Sequence, residues 1–201
     1  MACLSPLLFR KQFNRKCNFE WKNNSMISNL LEYIVKHLEE DEFEYFLTGG
    51  VALSCYIYPR FTRDIDIVIH LKMADTENFQ KIFSEGYYCD TEAIRDAVIQ
   101  RGMFNIINQD YNYKIDFILP KFTEYNYEVF LRKRRLKTFT FSSWVISPED
   151  LVISKLSWIQ QLQSAIQTSD IAQLVELRNL DLDYIRFWVK KLNLKTFNLI
   201  P

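Results

Sequence analysis

A chain of 201 residues can bury one good-sized core and stands near the lower limit for two small domains. Its 48% hydrophobic and 25% charged residues, with no low-complexity tract or internal repeat, are those of a soluble globular protein that disorder does not dominate. Lys+Arg and Asp+Glu both number 25, so the formal charge is +0 and no global field draws nucleic acid or an anionic membrane; an anion site must come from a local cluster.

Residues 1–25, MACLSPLLFRKQFNRKCNFEWKNNS, read as a peripheral extension: the apolar stretch is too short and early for a signal sequence, and basic residues follow it rather than precede it. No run reaches the ~18 apolar residues of a membrane span. Cys3, Cys17, Cys55 and Cys89 show no metal-site or redox-pair spacing. The expectation is a soluble, cytoplasmic protein with reduced thiols and no membrane partner.

From Ser28, Leu30, Leu31, Ile34, Val35 and Leu38 recur at helical spacing, and Glu39 to Glu42 mark a polar exit. Phe43 to Thr48 reads as a strand ended by Gly49-Gly50, and Val51 to Tyr58 as a short helix stopped by Pro59. Asp64 to Leu71 alternates as a strand, with Asp64, Asp66 and Val68 on one face and Ile65, Ile67 and Ile69 on the other. Thr76 and Thr91 read as N-caps of two helices, with Gly86 and Gly102 as their stops.

MFNIIN and YKIDFIL, between Met103 and Leu119, form a hairpin around QDYN. Phe122 to Arg134 is expected helical and Lys137 to Ile146 a strand. Ser147-Pro148-Glu149-Asp150 then supplies an N-cap, a proline at the first helical position and an acidic first turn. Beyond it, stripes at Val152/Leu156/Ile159, Ile171/Leu174/Val175 and Ile185/Trp188/Val189 give three helices. The fold class is therefore α+β: a mixed sheet flanked by helices over 26–146, with a helical C-terminal subdomain over 147–201.

Asp64 and Asp66 form an i, i+2 pair on one strand face, and hard divalent cations prefer carboxylate oxygens, so the pair is a metal platform or a solvated strand edge. Asp116 lies inside the apolar run YKIDFILP, where an acid needs a partner: a metal, or a salt bridge to Lys114 or an arginine. Gly49-Gly50 is either a tight turn or a helix start open to phosphate. Thirteen residues separate Gly50 from Asp64. His37 and His70 read as packing residues, which leaves no histidine-centred triad.

Leu47 to Gly50, Asp64 to Ile67 and Asp116 together resemble the nucleotidyltransferase superfamily, with its DNA polymerase β-like fold. Arg60-x-Thr62-x-Asp64-Ile65-Asp66, KIDFILP, the basic run Arg132 to Arg135, SPEDLVISKL and LDLDYIRFW extend the resemblance to small bacterial nucleotidyltransferases that include toxin components of abortive-infection systems, over Ser28 to Leu194. One stretch departs: QLQSAIQTSDIAQL offers only Gln167 and Asp170 where this group usually has an arginine.

The resemblance implies an enzyme that moves a nucleoside monophosphate from a nucleoside triphosphate to an acceptor hydroxyl on tRNA, protein or a small molecule. Asp64, Asp66 and Asp116 would be catalytic and hold two Mg2+ ions, or Mn2+. Gly49, Gly50, Arg60, Thr62 and Lys155 would bind nucleotide, unless Lys155 is a surface lysine. Arg132 to Arg135 is a solvated face or a strip guiding an RNA acceptor. An antitoxin or other partner protein is implied. The alternative readings are a catalytically silent nucleotide- or partner-binding relative and, further off, a D-x-D glycosyltransferase using a nucleotide sugar and manganese.

Overall fold

A computed structural model of the protein describes residues 25–57, 64–162 and 164–201. The expected extension, Ser25 apart, and the candidate nucleotide ligands Arg60 and Thr62 lie outside them. Helix α1 (Ser25–Glu40) buries Ile27, Leu31, Ile34 and Leu38, which fall three and four apart on one face. Strand β1 (Tyr45–Thr48) passes directly into α2 (Gly49–Tyr56), and β2 (Asp64–Ile69) follows. Then come α3 (Thr76–Ile82), β3 (Tyr87–Cys89), α4 (Thr91–Gln100), the hairpin β4 (Met103–Asn108) and β5 (Tyr113–Ile118), and α5 (Glu124–Arg132). A second hairpin, β6 (Arg134–Thr138) and β7 (Phe141–Val145), leads to α6 (Pro148–Ile159), α7 (Ala165–Val175) and α8 (Leu182–Lys191).

Among the described residues the strands form one mixed sheet in the order β3-β4-β5-β2-β1-β7-β6. The β2–β5 and β1–β7 pairs are parallel and the others antiparallel. The class is α+β, as the pattern predicts. Alternation along β2 buries Ile65, Ile67 and Ile69 completely. On the inner face Phe79 meets Phe104 and Phe117 edge-on at 5.6 and 5.0 Å, each large apolar side chain contributing about 1.5–3 kcal/mol by leaving water. Asp64 and Asp66 point to the other face.

The expected strand at 137–146 is instead the β6–β7 hairpin, whose two-residue turn puts Phe139 at φ 55. A turn without Gly, Asn or Asp gives no sequence signal. Strand β3 is missed because three residues carry too little periodicity. Helix α4 is capped by Asp90, whose carboxylate accepts from the N–H groups of Glu92 and Ala93; Thr91 is the first helical residue. The left-handed position ending α4 is Arg101 (φ 51) rather than Gly102. Asp75, not Thr76, precedes α3, and the Thr76 hydroxyl donates to Met73 O.

The basic run is partly solvated, with Arg134 and Arg135 exposed, but it is not a free strip. Arg132 and Arg134 donate to the Glu149 carboxylate at 3.1 and 3.0 Å, and Arg135 pairs with Glu39. Glu149 and Asp150 are buried in the first turn of α6, and Asp150 accepts from the Tyr184 hydroxyl of α8 at 2.8 Å. Ser147 caps the helix as its position implies, accepting from the Asp150 N–H. These bonds tie α6 to α5, β6 and α8, which fixes the wall that α6 presents to the sheet. His70 stacks on Phe130 at 3.8 Å and His37 bonds to Tyr33 O, so both histidines serve packing. Among the described residues no helix is long and apolar enough to cross a membrane.

Candidate functional site

The outward face of β2 and β5 forms one wall of a cleft of about 1040 Å³, large enough for a nucleotide. Parallel pairing sets Asp66 opposite Asp116 and Asp64 opposite Lys114. Because side chains two apart on a strand share a face, Asp64, Asp66 and Asp116 all line this cleft. A smaller cavity of about 370 Å³, lined by Glu32, Lys36, Glu39 and Glu40, shares no residue with it.

Gly49 explains the glycine pair. Its φ is +59°, which L side chains rarely adopt, and a Cβ there would lie 1.9 Å from Asp66 Oδ2. The Gly50 N–H, at the start of α2, lies close enough to the Asp66 carboxylate to favour its charged form. The helix N-terminus thus first receives a carboxylate of the protein itself, favoured there by the helix dipole. Burial, then the charges of Asp116 and Asp64, push the Asp66 carboxyl above its ordinary range, opposed by Lys155 and the Gly50 N–H.

Asp116 is buried, and Lys114 Nζ donates to its Oδ2 at 2.8 Å. Asp116 Oδ1 is buried with no hydrogen-bond partner among the described residues. The Lys114 ammonium is held above its ordinary value, first by that bond to Asp116. The salt bridge that the lone acid suggested therefore exists and satisfies only one of its two oxygens.

Lys155 is not a surface lysine. It is 4% exposed, lines the cleft from α6, and donates to Gln167 Oε1 and Asp170 Oδ2 at 2.8 and 2.9 Å. Gln167 and Asp170 of the departing stretch both hold it, three apart on α7. Farther along the same wall Trp158, one turn beyond Lys155, is 67% exposed. Arg101, Met103, Lys121 and Asn126 line the opposite flank. The sequence reading named Lys114 only as a partner for Asp116, and it missed Trp158 and this flank, since each reads as ordinary surface.

The donor set suits a hard divalent cation: three carboxylates on one face, one with an orphaned oxygen, and mutual repulsion that a cation relieves. Among the described residues no three acid, thiol or imidazole groups stand close enough together to hold a metal ion as they are placed. The acids match the ion in donor type and in facing but not in spacing, and Lys114 Nζ occupies Asp116 Oδ2.

The family model described as "Nucleotidyl transferase AbiEii toxin, Type IV TA system" matches residues 29–191. A search of curated proteins gives no match. Among solved structures, the lincosamide antibiotic adenylyltransferase LnuA with lincomycin bound is similar at 16% identity, covering 73% of this chain and 94% of that one with a TM-score of 0.51. The antibiotic-resistance factor ANT(2'')-Ia is 11% identical over 82% and 83% of the two chains at a TM-score of 0.49. A nucleotidyltransferase-like protein from Paracoccidioides brasiliensis is 16% identical over 81% and 87% at 0.45. LnuA supports the fold alone. The family match spans the sheet, the acids and the C-terminal helices, and the chain belongs to the AbiEii nucleotidyltransferase toxin family.

Proposed function

We propose that this cleft binds a nucleoside triphosphate with magnesium and transfers a nucleoside monophosphate to an acceptor hydroxyl. The observation that carries the reading is the β2–β5 register, which gives Asp64, Asp66 and Asp116 one face at the mouth of α2. In this reading the acids hold two Mg2+ ions, which when bound stabilise the attacking and leaving oxygens of an in-line displacement. Gly49 and Gly50 leave the start of α2 free of side chains, so that phosphate can approach its N–H groups beside Asp66. Lys155, held by Gln167 and Asp170, offers a fixed positive charge to the triphosphate.

The acceptor oxygen forms a bond to the α-phosphorus while the bond to pyrophosphate breaks, and the acceptor proton passes to the Asp116 carboxylate. The sheet stretch 26–146 supplies the acids and the helical stretch 147–201 the opposite wall. The acceptor is a tRNA, a protein or a small molecule, and the type IV toxin description of the family points to an antitoxin encoded with it. Incubation with each α-labelled nucleoside triphosphate, Mg2+ and whole-cell RNA or protein tests the reading. Label should move to one class of acceptor and fail to move with Asp64→Asn. A triphosphate that raises Tm while no label moves to any acceptor would instead establish a silent, nucleotide-binding relative.

A further inference from the structure

Three acids and one base occupy a two-by-two patch of the sheet. Asp64 stands opposite Lys114, and Asp66 opposite Asp116, on neighbouring parallel strands about 4.8 Å apart. All four side chains line the cleft. The Lys114 ammonium lies 2.8 Å from Asp116 Oδ2, yet the partners differ in freedom: the Asp116 side chain is 9% exposed and that of Lys114 45%. Asp116 cannot turn to water. Lys114 can, because its four-carbon stem lets a hydrated ammonium swing out at small solvation cost. The second oxygen, Asp116 Oδ1, is buried without a hydrogen-bond partner, an acceptor that costs free energy until a cation or donor reaches it.

We infer that Lys114 is a built-in counter-cation: its ammonium holds Asp116 while no metal is bound and yields Oδ2 to the divalent ion, so that Lys114 and the metal compete for one carboxylate. The inference rests on the metal-dependent reading of the cleft and adds to it a residue that sets metal affinity. A divalent ion entering the patch meets attraction from its acids and repulsion from Lys114. A doubly charged ion at ligand distance outcompetes a single ammonium that pays no large cost to leave. The displaced ammonium stays at the cleft mouth beside Asp64, its neighbour in the register.

The test is a titration of Mn2+ alone into the full chain, read by loss of the free-ion electron paramagnetic resonance signal. Wild type is compared with Lys114→Met, Lys114→Arg and Asp116→Asn. Lys114→Met keeps the stem and removes the charge; it should bind Mn2+ roughly tenfold more tightly, equivalent to about 1.4 kcal/mol. Lys114→Arg should resemble wild type, and Asp116→Asn should bind weakly. Without metal, Lys114→Met should melt below wild type and gain more in Tm when Mn2+ is added. Should Lys114→Met not fold by circular dichroism, Lys114→Gln carries the same comparison. Equal or weaker Mn2+ binding by the folded neutral variant, with wild type binding the ion, overturns the role of Lys114 and leaves the metal reading standing. No Mn2+ binding by any of the proteins overturns both.

Discussion

The Cα of Gly49 faces the Asp66 carboxylate so closely that a methyl group there would lie 1.9 Å from Oδ2. One backbone position and one acid are therefore a single unit, with the Gly50 N–H favouring the charged form of the same carboxylate. Gly49→Ala must strain a left-handed residue, about 1–2 kcal/mol, and also displace Asp66. It should lower Tm by at least several degrees, at roughly 2–4 °C per kcal/mol for a chain of this size. Gly86 supplies the control, with φ +74° but its nearest neighbour, Asp110, at 3.6 Å. Thermal melts in which Gly49→Ala and Gly86→Ala lose equally would show that Asp66 does not require the glycine.

Asp66 should also oppose folding at neutral pH. Burial and the neighbouring acids raise its folded-state pKa, so its ionised form is penalised in the native protein. The penalty is complete above the folded pKa and fades as pH falls through it toward the unfolded value near 4. Metal-free Asp66→Asn should thus melt a few degrees above wild type at about pH 7–8, and the gap should close as pH falls toward ~4. A gap that widened on acidification would contradict the assigned cause.

The acids opening α6 make an asymmetric prediction. The side chains of Glu149 and Asp150 are 2% and 0% exposed, while that of Arg132 is 27% exposed. Arg132→Met leaves two buried carboxylates short of their shared cation and should cost about 3–5 kcal/mol in urea unfolding. Glu149→Gln releases arginines that can reach water and should cost less. Equal losses would mean that packing, not charge, dominates there.

Lys155 tests whether the helical wall serves nucleotide. Its pair with Asp170 is buried on both sides, so Lys155→Ala should destabilise by about 3 kcal/mol or more rather than behave as a surface change. Lys155→Met combined with Asp170→Asn should recover much of that loss. If the ammonium serves the triphosphate, the recovered double variant should still show a much smaller Tm rise with MgATP than wild type. An undiminished rise would confine the nucleotide contacts to the sheet side.

Local chemistry determined what was legible in the sequence. Period-two alternation at Asp64 to Ile69 and a Ser-Pro-Glu-Asp start at 147 act within a few residues, so strand, face and cap follow from the sequence directly. Two acids on one face of one strand are likewise a local fact. That Asp116 stands beside Asp66, however, depends on β5 pairing in parallel with β2, a register between segments about 50 residues apart that burial of Ile65, Ile67, Ile115 and Phe117 selects. Tertiary structure also decided the fate of charges that the sequence presents as equivalent. Lys114 took Asp116, Lys155 took Asp170, and Arg132 and Arg134 took Glu149. A charged side chain's partner is set by which groups share its desolvated neighbourhood, and only the assembled fold defines that neighbourhood.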